Sequence, residues 1–334
     1  MKTKLFACAA LIAAAAVATS RAQSAGGVLP APGFHHLHLN SINPDAAIEF
    51  YTKQFPSTSR AAFGGQPALK SPNNVWVLFT KVDAPPSTQP HTAIWHFGWH
   101  VTDEEQTLAR FKRTGTFLLP LYTTEEGGTV AISSHTWPGT GGVLGLTRPQ
   151  IADARARGVK PAGGAGFGYV RGPDDVMIEY QGNMPAERFN HVHMYWEQPY
   201  CAQLWYQQHL TAPLPPARGG APPRSEADCR VQRGADKTWP ALDAAGMYRT
   251  PSANVTFGDV GLFSYMNQTD APLVGTRGHA ADHFALSVAD LDAWIAKLRA
   301  EQVTFLEQPY KIGELRAVMI EGPSREAIEI VEVR

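Results

Sequence analysis

Apolar and polar positions alternate through Phe34–Asn40, placing His36, His38 and Asn40 on one face of a strand. Asn43 and Pro44 follow, a good N-cap before a good first helical residue. Ala47, Ile48, Tyr51 and Phe55 then recur at helical spacing on one face. The spacing predicts strand, turn and amphipathic helix. The same phrase returns at HFGWHVTD from His96, at HVHMYWEQ from His191 and at HFALSVAD from His283. In each, a residue suited to open a helix (Asn43, Asp103, Gln198 or Asp290) lies seven positions after the histidine. In the second copy Thr102 and Glu105 also read as a capping box. An internal repeat of this kind outranks any single motif as evidence for architecture.

Two further segments match each other. GPDDVMIE ends at Glu179 and GPSREAIE ends at Glu329, each a Gly-Pro turn before an apolar strand that carries the glutamate. Between the repeats, VWVLFTKV, NVTFGD and GLFSYMNQ read as further strands. The stretch from Phe117 to Gly166 is too long for a simple connection, and TAPLPPARGGAPPR is a loop on composition alone.

The four-fold register with its two Gly-Pro…Glu strands resembles the vicinal oxygen chelate superfamily, which includes glyoxalase I, extradiol dioxygenases and the fosfomycin and bleomycin resistance proteins. The resemblance runs from about Phe34 to the C-terminus. It implies an α+β fold of four βαβββ modules, paired into two cup-shaped half-barrels. Taken in chain order, the first domain is expected over 34–185 and the second over 189–334, with a Pro-rich insertion around 211–252. Carried over by position, the first half would hold a metal with His36, His96 and Glu179. The second half would use His191, His283 and Glu329.

Two neutral imidazoles and one carboxylate on a face leave adjacent coordination positions open. That set suits Fe(II) or Mn(II), with Zn or Ni as alternatives. A glyoxalase-type site would need a further carboxylate, and neither VWVLFTKV nor GLFSYMNQ carries one. Three functions follow as alternatives. The leading one is an extradiol-type dioxygenase acting on a vicinal-oxygen, aromatic-diol substrate. The others are a glyoxalase-like lyase or isomerase, and a metal-free protein that sequesters a small molecule. Tyr169, His38 and His100 are the candidate acid–base residues. His193 and Tyr195 read as pocket lining, and Trp95, Trp99, Trp137 and Trp196 as core or cup wall.

Composition narrows the picture further. Hydrophobic residues make up 44% of the chain and net charge is −1, so there is no electrostatic case for nucleic acid or an anionic membrane surface. Lys2 and Lys4 precede the apolar run LFACAALIAAAAVA, the layout of a secretory signal peptide cleaved after Ala22. A membrane anchor is the alternative. The mature protein is expected to be exported to the periplasm, as a monomer or homodimer. Cys201 and Cys229 are either a disulfide or two unrelated thiols.

Overall fold

The computed structural model describes residues 29–333, apart from 120, 123–128, 131–134, 137–151, 154–155, 159–161, 164–165, 214–223, 239–240 and 244. The 1–22 segment and Trp137 lie outside the described residues. No described helix is long and apolar enough to cross a membrane.

Modules one, two and four fold as the βαβββ units anticipated, whereas module three has two sheet strands after its helix among the described residues. Module one is β1 (Gly33–Ser41), α1 (Pro44–Gln54), β2 (Ser59–Phe63), β3 (Gln66–Lys70) and β4 (Trp76–Lys81). Module two is β5 (Ile94–His100), α2 (Glu104–Arg113), β6 (Leu118–Leu119), β7 (Phe167–Arg171) and β8 (Met177–Gln181). Module three is β9 (Arg188–Trp196), α3 (Pro199–Leu210), β10 (Ser252–Phe257) and β11 (Val260–Met266). Module four is β12 (Ala281–Val288), α4 (Leu291–Ala300), β13 (Phe305–Ile312), β14 (Leu315–Glu321) and β15 (Ala327–Glu332).

Helix capping accounts for the shared register. Asn43, Asp103 and Asp290 each accept a hydrogen bond from a backbone N–H in the first turn of their helix. The cap of α2 is therefore Asp103, one residue later than the Thr102 box predicts. Gln198 makes no side-chain cap. Its Oε1 instead accepts from the Val231 amide of the insertion, at 3.2 Å.

Module pairing departs from chain order. One sheet has eight strands in the order β13-β14-β15-β12-β1-β4-β3-β2, so module one joins module four. The other has seven, β10-β11-β9-β5-β8-β7-β6, so module two joins module three. The 34–185 and 189–334 halves are thus not the structural units. All four opening strands are similarly apolar, so hydrophobic patterning leaves the choice of neighbour open. The structure pairs β1 with β12 and β5 with β9, both antiparallel. The linkers between the cups run side by side, with isolated bridges Ser87–His279 and Thr92–Val274.

The core lies on the convex backs of the two sheets. Strand alternation turns the histidines into the cups and Leu37, Phe97, Val192 and Phe284 the other way, all 0–1% exposed. Phe34 stacks on Phe284 of its own sheet and on Phe189 of the other, with ring centroids 6.0 and 5.7 Å apart. On the helical side, Phe55, the C-cap of α1, stacks on Trp99 of β5 at 4.6 Å. Trp99 and Trp196 are fully buried core residues. The insertion is anchored by a disulfide between Cys201 on α3 and Cys229.

Candidate metal centres in the two cups

Regrouping the modules regroups the donors. His36 and His283 face one another in the first cup with Glu329. His96 and His191 face one another in the second with Glu179. The chain-order sets, His36/His96/Glu179 and His191/His283/Glu329, do not come together, because β1 and β5 lie in different sheets. The six residues named from sequence all face the cups, redistributed by strand pairing so that each cup holds two of the histidines and one glutamate.

In the second cup, one ligand atom each from His96, Glu179 and His191 lies within 4.8 Å of the others. His96 Nε2 is 2.8 Å from Glu179 Oε2, and His191 Nε2 is 3.5 Å from the same oxygen. Burial pushes the Glu179 carboxyl up, but His191 and His96 more than reverse this and hold it well below the usual carboxylate range. Burial lowers His96 to about 4. The set is therefore a carboxylate between imidazoles, with His96 neutral at physiological pH. Gly98 makes the geometry fit, because a Cβ there would stand 2.3 Å from His191 Cε1.

Tyr169 of β7 presents its ring edge-on to His96 at 5.1 Å, and His193 does so at 4.9 Å. Burial, then Glu179, pushes the Tyr169 phenol well above its ordinary value. Burial, then His96 and His191, holds His193 well below its own. Trp95 stacks on Tyr195 at 4.9 Å and on His193 at 5.3 Å, so Trp95 is cup wall rather than core. His100 is farther along β5, lowered to about 4 by burial and Arg188. The insertion adds Arg249, whose guanidinium lies 4.9 Å over the Tyr265 ring, a contact that strand patterns alone do not predict.

In the first cup, His36 Nε2 lies 3.2 Å from Glu329 Oε2. His38, read from sequence as an acid–base or lining residue, joins His36 and His283 in a group whose ligand atoms lie within 4.8 Å of one another. It does not share a cup with Tyr169 or His100. Burial lowers His36 well below its ordinary value, and burial with His283 lowers His38 to about 3. Burial raises the Glu329 carboxyl, and the Tyr310 hydroxyl donates to its Oε1. Tyr310, Thr80 and Asp282 are site residues that sequence reading did not single out. Their signal is only their register beside the histidines and the glutamate.

The fit to a divalent ion rests on unsatisfied atoms. Among the described residues, His36 Nε2, His283 Nε2 and Glu329 Oε2 are buried and make no hydrogen bond. A buried polar atom without a partner costs about 1–3 kcal/mol, and although His36 Nε2 and Glu329 Oε2 stand 3.2 Å apart, the three converge in one cup where they could hold a cation.

Strand register also locates the position where a fourth donor could stand. Glu179 pairs with Gly98 and Glu329 with Ala285, each two residues after the strand histidine. The same step from His36 and His191 leads to His38 paired with Leu78 and to His193 paired with Phe263. Neither cup has a second carboxylate there.

No family model matches the sequence, and no curated protein matches it. Solved structures do. Glyoxalase I from Zea mays superposes with a TM-score of 0.57 at 15% identity, covering 90% of this chain and 92% of that one. A Bacillus subtilis protein described as a "putative dioxygenase" superposes at 0.55 and 10% identity, covering 91% and 86%. Both alignments run nearly end to end, and at these identities they bear on the fold. The chain carries the vicinal oxygen chelate fold, in a form that places all four modules on one polypeptide.

Proposed function

We propose that this protein is an exported, metal-dependent enzyme acting on a small substrate with two vicinal oxygens, and that its reaction is an extradiol-type dioxygenation in the second cup. The observation that carries this reading is the convergence of His96, His191 and Glu179 within 4.8 Å, with Tyr169 and His193 flanking His96. Iron or manganese held by these three residues would supply Lewis acidity and a route for electrons between substrate and O₂.

The chain's own groups would do the rest. Tyr169 stays a phenol at physiological pH and can donate a hydrogen bond to a substrate oxygen. His193, neutral there, can accept a hydrogen bond from a substrate hydroxyl. Trp95 and Tyr195 offer a flat aromatic wall to a planar ring. With Phe263 where a further carboxylate would stand, coordination positions would remain for two substrate oxygens. Export is supported by the N-terminal sequence pattern and by the Cys201–Cys229 bridge, a bond that persists in oxidising compartments.

A glyoxalase-like lyase or isomerase activity is the second reading. The first cup favours it, because Glu329 and Tyr310 form a proton-carrying pair beside the imidazoles. The deciding assay is O₂ consumption by Fe(II)-loaded protein with catechol-type diols, followed to the ring-opened product. Uptake matched to product supports the dioxygenase. Turnover without O₂ transfers the assignment to the second reading. Ligand binding without turnover under any metal would leave a sequestering protein.

A further inference from the structure

We propose that His38 is a metal ligand and that the first cup is a three-imidazole centre, chemically distinct from the second. This deepens the metal-dependent reading above and rests on it. The ligand atoms of His36, His38 and His283 lie within 4.8 Å of one another. The outer nitrogen of each ring is already engaged. His36 Nδ1 meets His35 Nδ1 at 2.9 Å, His38 Nε2 meets Thr80 Oγ1 at 2.7 Å, and His283 Nδ1 meets Asp282 Oδ1 at 2.6 Å. Metal-bound histidines are held in this way, by an outer partner that fixes the tautomer and turns the other nitrogen's lone pair inward.

Asp282 is itself fixed. It accepts from the Gly278 amide at 2.7 Å and from Asn40 Nδ2 at 3.2 Å, and it pairs with Arg277 at 3.0 Å. A carboxylate so restrained cannot swing in as a ligand, and its use is to orient His283.

Among the described residues, the second cup lacks this shell. Its counterpart of Asp282 is Trp95, and that of Thr80 is Tyr265, by the same strand register. His96 Nδ1 and His193 Nδ1 are buried and make no hydrogen bond among the described residues. The contrast predicts different ions. A nitrogen-rich set favours Zn, Cu or Ni, whereas two imidazoles with a carboxylate favour Fe(II) or Mn(II). A cavity opens beside the first set, lined by His38, His283, Tyr310, Met319 and Glu329, so a small ligand could reach the ion.

The test uses the full mature chain carrying His96→Ala, which leaves the first cup as the metal site. Zn(II) affinity is measured by chelator competition, and bound Cu(II) by the nitrogen hyperfine pattern of its electron paramagnetic resonance spectrum. Thr80→Val is expected to weaken Zn(II) about 10- to 100-fold. His38→Ala should weaken it further and remove one coupled nitrogen. Thr80→Val leaves every proposed ligand in place, so an effect there is not explained by loss of the fold, which circular dichroism monitors. Unchanged affinity and an unchanged nitrogen pattern in His38→Ala would overturn the assignment of His38 while leaving a metal site intact. Failure of the parent protein to take Zn(II), Cu(II), Fe(II) or Mn(II) at either cup would instead overturn the metal-dependent reading itself.

Discussion

His38 and His283 are direct cross-strand partners, with rings 4.5 Å apart and inclined by 30°, although β1 opens the first module and β12 opens the last. Each cup is therefore assembled from modules that chain order would keep apart or merely set adjacent. The metal-binding consequences can be read out by mutation.

His36→Ala and His283→Ala should each abolish the same equivalent of bound metal, and the double variant should lose no more than either single one. His96→Ala and His191→Ala should form a second such pair, independent of the first. Metal analysis of the four single and two double variants checks this. Loss of one common equivalent in His36→Ala and His96→Ala would contradict the pairing of modules.

Gly98→Ala should injure the second cup alone. The added Cβ would meet the His191 ring at 2.3–2.9 Å, on neighbouring central strands that cannot separate without breaking their ladder. Overpacking of this kind costs about 1–3 kcal/mol. Thermal unfolding should register that loss, with metal content of the first cup unchanged.

Tyr169→Phe removes only a hydroxyl from a buried ring beside His96. If Tyr169 donates to substrate, the variant should keep its metal and lose about 10²- to 10⁴-fold in kcat. Steady-state O₂ uptake alongside metal analysis separates the two effects. Retained kcat would move the proton-donating role elsewhere in the cup.

Stability should fall with rising pH through Glu326. This carboxyl is 0% exposed and hydrogen-bonded to Tyr206 at 2.6 Å, and burial raises its pKa above the ordinary value of 4.5. The folded state then holds a proton that the unfolded chain releases, so unfolding free energy declines from about pH 4.5 up to the folded-state pKa. Glu326→Gln can still accept from Tyr206 but not also from the Ser324 amide, so it should lower stability at every pH while flattening that decline, because it does not titrate. Urea titrations of both proteins at several pH values check the sign.

Reduction of the Cys201–Cys229 bridge should also destabilise the fold. The bond closes a loop with a sequence separation of 28, for which chain entropy gives about 3–4 kcal/mol. Melting with and without reductant measures this, and Cys229→Ser should reproduce the reduced value. No change would mean the insertion is held by its other contacts.

Much of this architecture is legible in the sequence because it is local. Strand alternation assigns the inward face of β1, β5, β9 and β12, and the residues that open the helices set the register of each repeat. Those two periodicities place His36, His96, His191 and His283 at one depth in four modules, and the Gly-Pro turns do the same for Glu179 and Glu329. Cross-strand pairing is not local. An apolar strand edge accepts β5 or β12 with similar hydrophobic gain, so only the folded chain, with its linkers running side by side, decided that His36 meets His283 and that His96 meets His191. The same holds for the outer contacts. Thr80, Asp282 and Tyr310 acquire their significance from a hydrogen bond to a histidine or glutamate, and Arg249 from a loop folded over a tyrosine, relationships that no spacing along the chain encodes.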